Sequence, residues 1–119
     1  MQDQIFLNPD GYIEVKLVGD QTAEMFQSIY ADYLSLEEKL RSQDKPILAL
    51  FDVSQETGFS LSSNKAALEI LENANYDRIA MYAVPHYKVT EGIIAATGKS
   101  ANTKLFPTRE EALAWLLAE

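Results

Sequence analysis

The segment Ile47–Val53 (ILALFDV) constrains the fold more than any other part of the chain. It is apolar almost throughout, follows the helix-breaking Asp44-Lys45-Pro46, and is too short to cross a bilayer. A run of that kind reads as a strand buried on both faces, which requires layers of structure above and below it. Its apolar part, Ile47 to Phe51, ends in Asp52. A segment rich in Ser54, Thr57, Ser60, Ser62 and Ser63 follows and reads as a loop, with a helical pattern from about Ser62 to Asn73. Hydroxyls at the mouth of a buried strand, beside a helix N-terminus, are suited to holding a phosphate or a partner's carboxylate.

The pattern on either side completes an α/β alternation. Ile5–Leu7 and Tyr12–Val18 read as strands joined by the turn Asn8-Pro9-Asp10-Gly11. Ile13, Val15 and Leu17 alternate with Tyr12, Glu14 and Lys16, which predicts one buried and one wet face. Gly19-Asp20 is expected to end that strand, with Asp20 or Thr22 capping a helix to about Ser42. Phe26, Ile29, Tyr30, Tyr33, Leu36 and Leu40 form the helix's apolar stripe. Ala67, Ile70, Leu71 and Ala74 give the next helix an inward face. Arg78–Val84 reads as a second buried strand stopped by Pro85, and Tyr87–Thr97 as a helix closed by Gly98. Thr103–Phe106 is a last strand. Thr108-Arg109-Glu110-Glu111 has the form of a capping box opening a terminal helix, with Ala112, Leu113, Trp115 and Leu116 inward. The order ββαβαβαβα predicts one domain over residues 1–119: a mixed, mostly parallel sheet with an antiparallel hairpin at one edge and helices packed against it.

Charge and composition narrow the function. A net charge of −8 opposes binding to nucleic acid and to anionic membrane surfaces. Residues 1–44 carry nine acids against three bases, so the acidity concentrates there, as a solvated face or a docking face for a basic partner. With no cysteine, no basic and apolar leader and no membrane-length apolar run, the expectation is a cytoplasmic protein held by packing alone. One histidine and no thiol leave little for a metal, and the pairs Glu37-Glu38 and Glu110-Glu111 point apart on their helices. The five glycines form no phosphate loop. No cofactor is implied. His86, the single imidazole, would have to serve any triad, so an enzyme built on Asp52 and His86 is the weakest of the readings. The Asp52 carboxylate itself suits an Asx-type bond to its own loop, anchoring of the hydroxyls, or phosphoryl acceptance.

LALFDVSQETG also resembles the acceptor strand of response-regulator receiver domains, but one helix fills the place where receivers carry a helix, a strand and a second helix. The order of elements resembles instead the STAS fold of the anti-sigma-factor antagonists and the SpoIIAA-like (STAS/SEC14-type) proteins. At residue level the likeness is best in Leu48–Ser54 (LALFDVS) and in the tail from Lys104 to Leu116, KLFPTREEALAWL. In the antagonists an Asp-Ser-Ser-Gly motif opens the second helix, and its second serine is phosphorylated by a partner kinase. The matching positions here are Ser60-Leu61-Ser62-Ser63, which puts an acceptor on Ser62 but lacks the motif's Asp, first Ser and Gly. Plain N-capping by Ser60 or Ser62 explains the same residues.

The resemblance implies a non-catalytic module that docks on a protein partner, an anti-sigma-type kinase or another regulator. The expected surface runs from Ser54 to Lys65 with Pro85–Lys88, and the binding residues are Asp52, Ser54, Thr57, Ser60, Ser62, Ser63, Lys65 and His86. The alternative is a carrier of a small apolar ligand or lipid, with a pocket lined by Phe59, Tyr82 and Tyr87. The edge strand Ile5–Leu7 leaves a homodimer open.

Overall fold

The structure, a computed structural model, describes residues 4–59, 65, 69–73, 75–84 and 87–118; of these, 21, 56–59 and 87 are described by their backbone alone. The elements are β1 (Gln4–Leu7), β2 (Ile13–Gln21), α1 (Ala23–Ser42), β3 (Leu48–Phe59), β4 (Arg78–Tyr82), α2 (Tyr87–Ala96), β5 (Thr103–Phe106) and α3 (Arg109–Leu116). Lys65 and residues 69–73, between β3 and β4, are helical. The strands form one sheet in the order β1-β2-β3-β4-β5, with β1 antiparallel to β2 and every other pair parallel.

Spatial order equals chain order, so each parallel connection steps in the same direction. Right-handed crossovers then put α1, the helical residues 69–73 and α2 on one face of the sheet. The main core shows this: Ile13, Val15, Leu17, Ala49, Val53 and Ile79 from the strands meet Phe26, Tyr33 and Leu40 of α1, Leu71, and Ile94 of α2. Among the described residues the other face is covered by α3, whose Ala112 and Leu116 lie over Tyr12, Leu50 and Ala80. Helix ends follow the chemistry read in the sequence. Thr22 Oγ1 accepts the Met25 amide at 3.1 Å and Thr108 Oγ1 accepts the Glu111 amide at 3.3 Å. Helix α1 closes with Asp44 at φ +56°, the Lys45 amide donating to Leu40 and the Asp44 amide to Arg41. That is the Schellman arrangement, with aspartate in the left-handed place more often given to glycine.

Four expectations need correction. Strand β2 does not stop at Gly19-Asp20: Gly19 adopts φ +74° and the strand runs on to Gln21. Strand β3 likewise continues to Phe59, paired with β2, so Ser54 and Thr57 lie in a strand and not in a loop. The two extensions hydrogen-bond each other, which removes the reason for either to turn away. Strand β4 ends at Tyr82 rather than Val84, because Ala83 enters the left-handed region at φ +56°. Lastly, Tyr12 belongs to the supposedly wet side of β2 yet is only 2% exposed, because α3 packs on that side.

Since one short helix seals the second face, a single truncation there should be expensive. Leu116→Ala is expected to lower stability by ~2–4 kcal/mol, while the exposed neighbour Leu117→Ala stays within about 0.5 kcal/mol. Urea unfolding followed by circular dichroism measures both.

Candidate functional site

Asp52 fixes the local path of β3. Its Oδ1 accepts the Ser54 amide at 3.0 Å and the Ser54 hydroxyl at 2.6 Å. An amide turned toward the preceding side chain is withdrawn from the ladder, and the register shifts there. Lys16 pairs with Asp52 but Val18 pairs with Gln55, so β3 spends one residue more than β2. A second shift follows between Gly19 and Asp20. Partial burial pushes the Asp52 carboxyl up. The hydroxyl and amide of Ser54, the neighbouring Tyr82 hydroxyl and the charge of Lys16 outweigh it and hold the group below the ordinary aspartate value.

Asp52 stands in a polar row on the α3 face of the sheet. Lys16, Asp52, Tyr82 and Phe106 are register partners across four strands. One step back, Arg109 at the start of α3 grips Glu14 with both terminal nitrogens, at 3.2 and 3.0 Å, and donates to the Tyr12 hydroxyl at 3.2 Å. Asn8 donates to the same Glu14 carboxylate at 3.2 Å. The Glu14 carboxylate foremost, with the Tyr82 hydroxyl, raises the Arg109 pKa above its already high value. The far end of α3 is held by Arg78, which donates to the carbonyls of Trp115 at 2.9 Å and Ala118 at 2.7 Å, its guanidinium 5.6 Å from the Trp115 ring centre. The Arg109–Glu14 pair and the Arg78 bonds to the last carbonyls lock α3 to the sheet from both ends.

The expected binding residues divide. Asp52 and Ser54 are together, bonded to each other. Thr57 lies within β3, and Lys65 is helical and exposed. Ser60, Ser62, Ser63, Pro85 and His86 lie outside the described residues, as does most of the second helix. Tyr82 does not line the apolar pocket expected of it. It packs with Trp115 and Phe106 on the α3 face, since β4 alternation sends Met81 and not Tyr82 toward the helices.

An apolar cavity does exist, on the helix-rich face at the C-terminal ends of the parallel strands. It offers about 90 Å³ of space and is partly open to solvent. Leu17, Phe51, Val53, Ile79 and Met81 form its floor, Val84 lies beyond the end of β4, and Phe26, Ile29, Tyr30, Tyr33, Ile70, Leu71, Thr90 and Ile93 complete the wall. The bulge that Asp52 fixes therefore sets the last floor residue, Val53. Two wall residues carry hydroxyls, Tyr33 Oη and Thr90 Oγ1, that are buried with no hydrogen-bond partner among the described residues. Burial, reinforced by the charge of Glu37 one turn on, pushes the Tyr33 hydroxyl far above its ordinary pKa, so it stays protonated. Glu37 is itself 3% exposed, with Oε1 paired to Arg41 at 2.6 Å. The sequence stripe omitted it because it is an acid, although its spacing of four from Tyr33 and three from Leu40 places it on the inward face.

Comparison with known proteins agrees with this architecture. The sequence model of the SpoIIAA-like family matches residues 12–117, and the chain belongs to that family. Its fold is similar to the crystal structure of an uncharacterized DUF3478-family protein with a SpoIIAA-like fold from Shewanella loihica PV-4. The TM-score is 0.63 and the identity 24%, over 96% of this chain and 91% of that one. It is equally similar to the anti-sigma factor antagonist SpoIIAA in its unphosphorylated form, with TM-score 0.63 and 12% identity over 98% of this chain and 99% of the other. No curated protein matches the chain.

Two measurements check the polar row. A double-mutant cycle on Glu14→Gln and Arg109→Gln is expected to give a coupling of ~1 kcal/mol that shrinks in 1 M salt, read from urea midpoints. Because the folded Asp52 pKa is depressed, its contribution is complete above the unfolded value near 4 and disappears as pH falls through the lower folded value. The stability gap between wild type and Asp52→Asn should thus be flat from about pH 7 to 5 and close below about pH 4.

Proposed function

We propose that this chain is a non-catalytic SpoIIAA-like binding module that takes a small apolar molecule into the cavity beneath its helix layer. The cavity itself carries the reading: about 90 Å³ of partly open space lined by aliphatic and aromatic side chains, beside a core that is otherwise close-packed. Its position at the C-terminal ends of parallel strands is where α/β sheets hold ligands. Native mass spectrometry of protein purified from cells is expected to show retained extra mass. Ile93→Phe, which fills the wall from α2, should lose that mass while its Tm stays within about 5 °C of wild type. A bare wild-type mass with no response of Tm to added apolar compounds would overturn the reading.

A second reading rests on the overhang of β3. Past Asp52 this strand is paired to β2 but no longer to β4 among the described residues, which presents a backbone edge. Together with the fold shared with an anti-sigma factor antagonist, this supports docking of a protein partner, such as a kinase or another regulator, on Ser54 to Lys65 and Pro85–Lys88. Ser62→Asp combined with Lys65→Glu should then weaken an identified partner about tenfold in direct titration, and unchanged affinity would remove this surface.

A further inference from the structure

The two edges of the sheet differ in how they meet solvent. An edge strand presents unpaired amides and carbonyls that another chain can pair with, and charged side chains are a common guard against it. Strand β5 carries such a guard in the exposed Lys104, whose ammonium lies 5.6 Å from the Trp115 ring centre. Strand β1 carries none: Gln4, Ile5, Phe6 and Leu7 are all uncharged, in a chain whose net charge is −8. Phe6 is 43% exposed, and it lies opposite Glu14, on the α3 side of the sheet. The Asn8 amide donates to the Tyr12 carbonyl at 2.7 Å. Antiparallel alternation from that pair turns the backbone of Phe6 and Gln4 toward β2 and that of Ile5 and Leu7 outward. Among the described residues β1 pairs with no strand other than β2.

We propose that β1 is a dimerisation edge that takes the β1 of a second copy of this chain, antiparallel, about a twofold axis through Phe6. Ile5 then stands opposite Leu7 of the second copy and Leu7 opposite its Ile5, so the outward backbone groups form a self-complementary set of hydrogen bonds. Phe6 meets Phe6 of the second copy in the position between those pairs, where Cα atoms come to about 4.5 Å and side chains are closest. A cross-strand aromatic pair is stabilising, and forming it removes an exposed ring from water. Charge selects the occupant. Two chains of the same acidic sign repel, and an uncharged edge lets their sheets meet without setting like charges opposite each other. A basic partner finds no acid on β1 to pair with. The contact is small, four residues from each copy, so the dissociation constant is expected on the order of 10–100 μM.

Sedimentation equilibrium between about 5 μM and about 1 mM tests this, with wild type expected to move from the mass of one chain toward that of two. Phe6→Lys and Phe6→Asp change an exposed side chain, so each should keep the wild-type circular dichroism while dimerising at least about tenfold more weakly. The two variants mixed in equal amounts should recover most of that loss as a mixed dimer, because residue 6 then faces its opposite charge. Leu34→Lys, equally exposed but on α1, is expected to dimerise like wild type. Wild type that stays monomeric at about 1 mM would overturn the proposal, as would a dimer that Leu34→Lys weakens as much as Phe6→Lys. A mixture that associates no better than the single variants would overturn it too, since the axis would not then pass through Phe6.

Discussion

The hand of the crossover connection governs this molecule. Three successive parallel steps in one direction leave the helices no choice of side, so one face of the sheet receives three helical segments and the other receives α3. An eight-residue helix is marginal by itself. Its attachment therefore depends on tertiary contacts, and two arginines supply them at opposite ends: Arg109 reaches forward to β2 and Arg78 reaches up from β4. Each guanidinium uses several donors at once, which a lysine at either position would not reproduce. Between them, Leu116 and Ala112 exclude water from Leu50 and Ala80.

The two faces thus behave differently. On the α3 side, Arg109 pairs with Glu14 and Arg78 with the helix's last carbonyls, so that surface is a fastening. On the other side, among the described residues, a cavity of about 90 Å³ remains at the strand ends, and the buried Tyr33 and Thr90 hydroxyls have no partner. Asp52 links the two sides: its carboxylate lies in the polar row while the bulge it stabilises delivers Val53 to the cavity floor.

Much of this was legible in the residues. The buried run ILALFDV, the alternation of Ile13, Val15 and Leu17, the stripe on α1 and the cap at Thr108 each report a short-range period or a local hydrogen bond, and each led to the right element. The likeness of LALFDVS and of the tail to SpoIIAA-like proteins led to the right family. What failed depended on partners distant in sequence. Ser54 and Thr57 have the composition of a loop, and only pairing with the far end of β2 makes them a strand. Tyr12 and Glu14 looked solvated because the residue that covers them, Arg109, is 95 positions away from Glu14. Tyr82 and Met81 are both plausible pocket residues by type, and only the register of β4 decides which one faces the helices. Glu37 was passed over because charge was allowed to outweigh spacing.

Beyond Asp52, β2 and β3 pair only with each other among the described residues, as a two-stranded ribbon. Such a ribbon opens at far less cost than the five-stranded body, and its root is the residue that closes the end of the cavity. Fraying of those outer rungs would swing Val53's neighbours aside while the arginine-fastened face stays shut. If the cavity takes a guest, its exchange would need only the loosest few rungs of the sheet, and its rate would be set by local hydrogen bonding instead of by the stability of the whole fold.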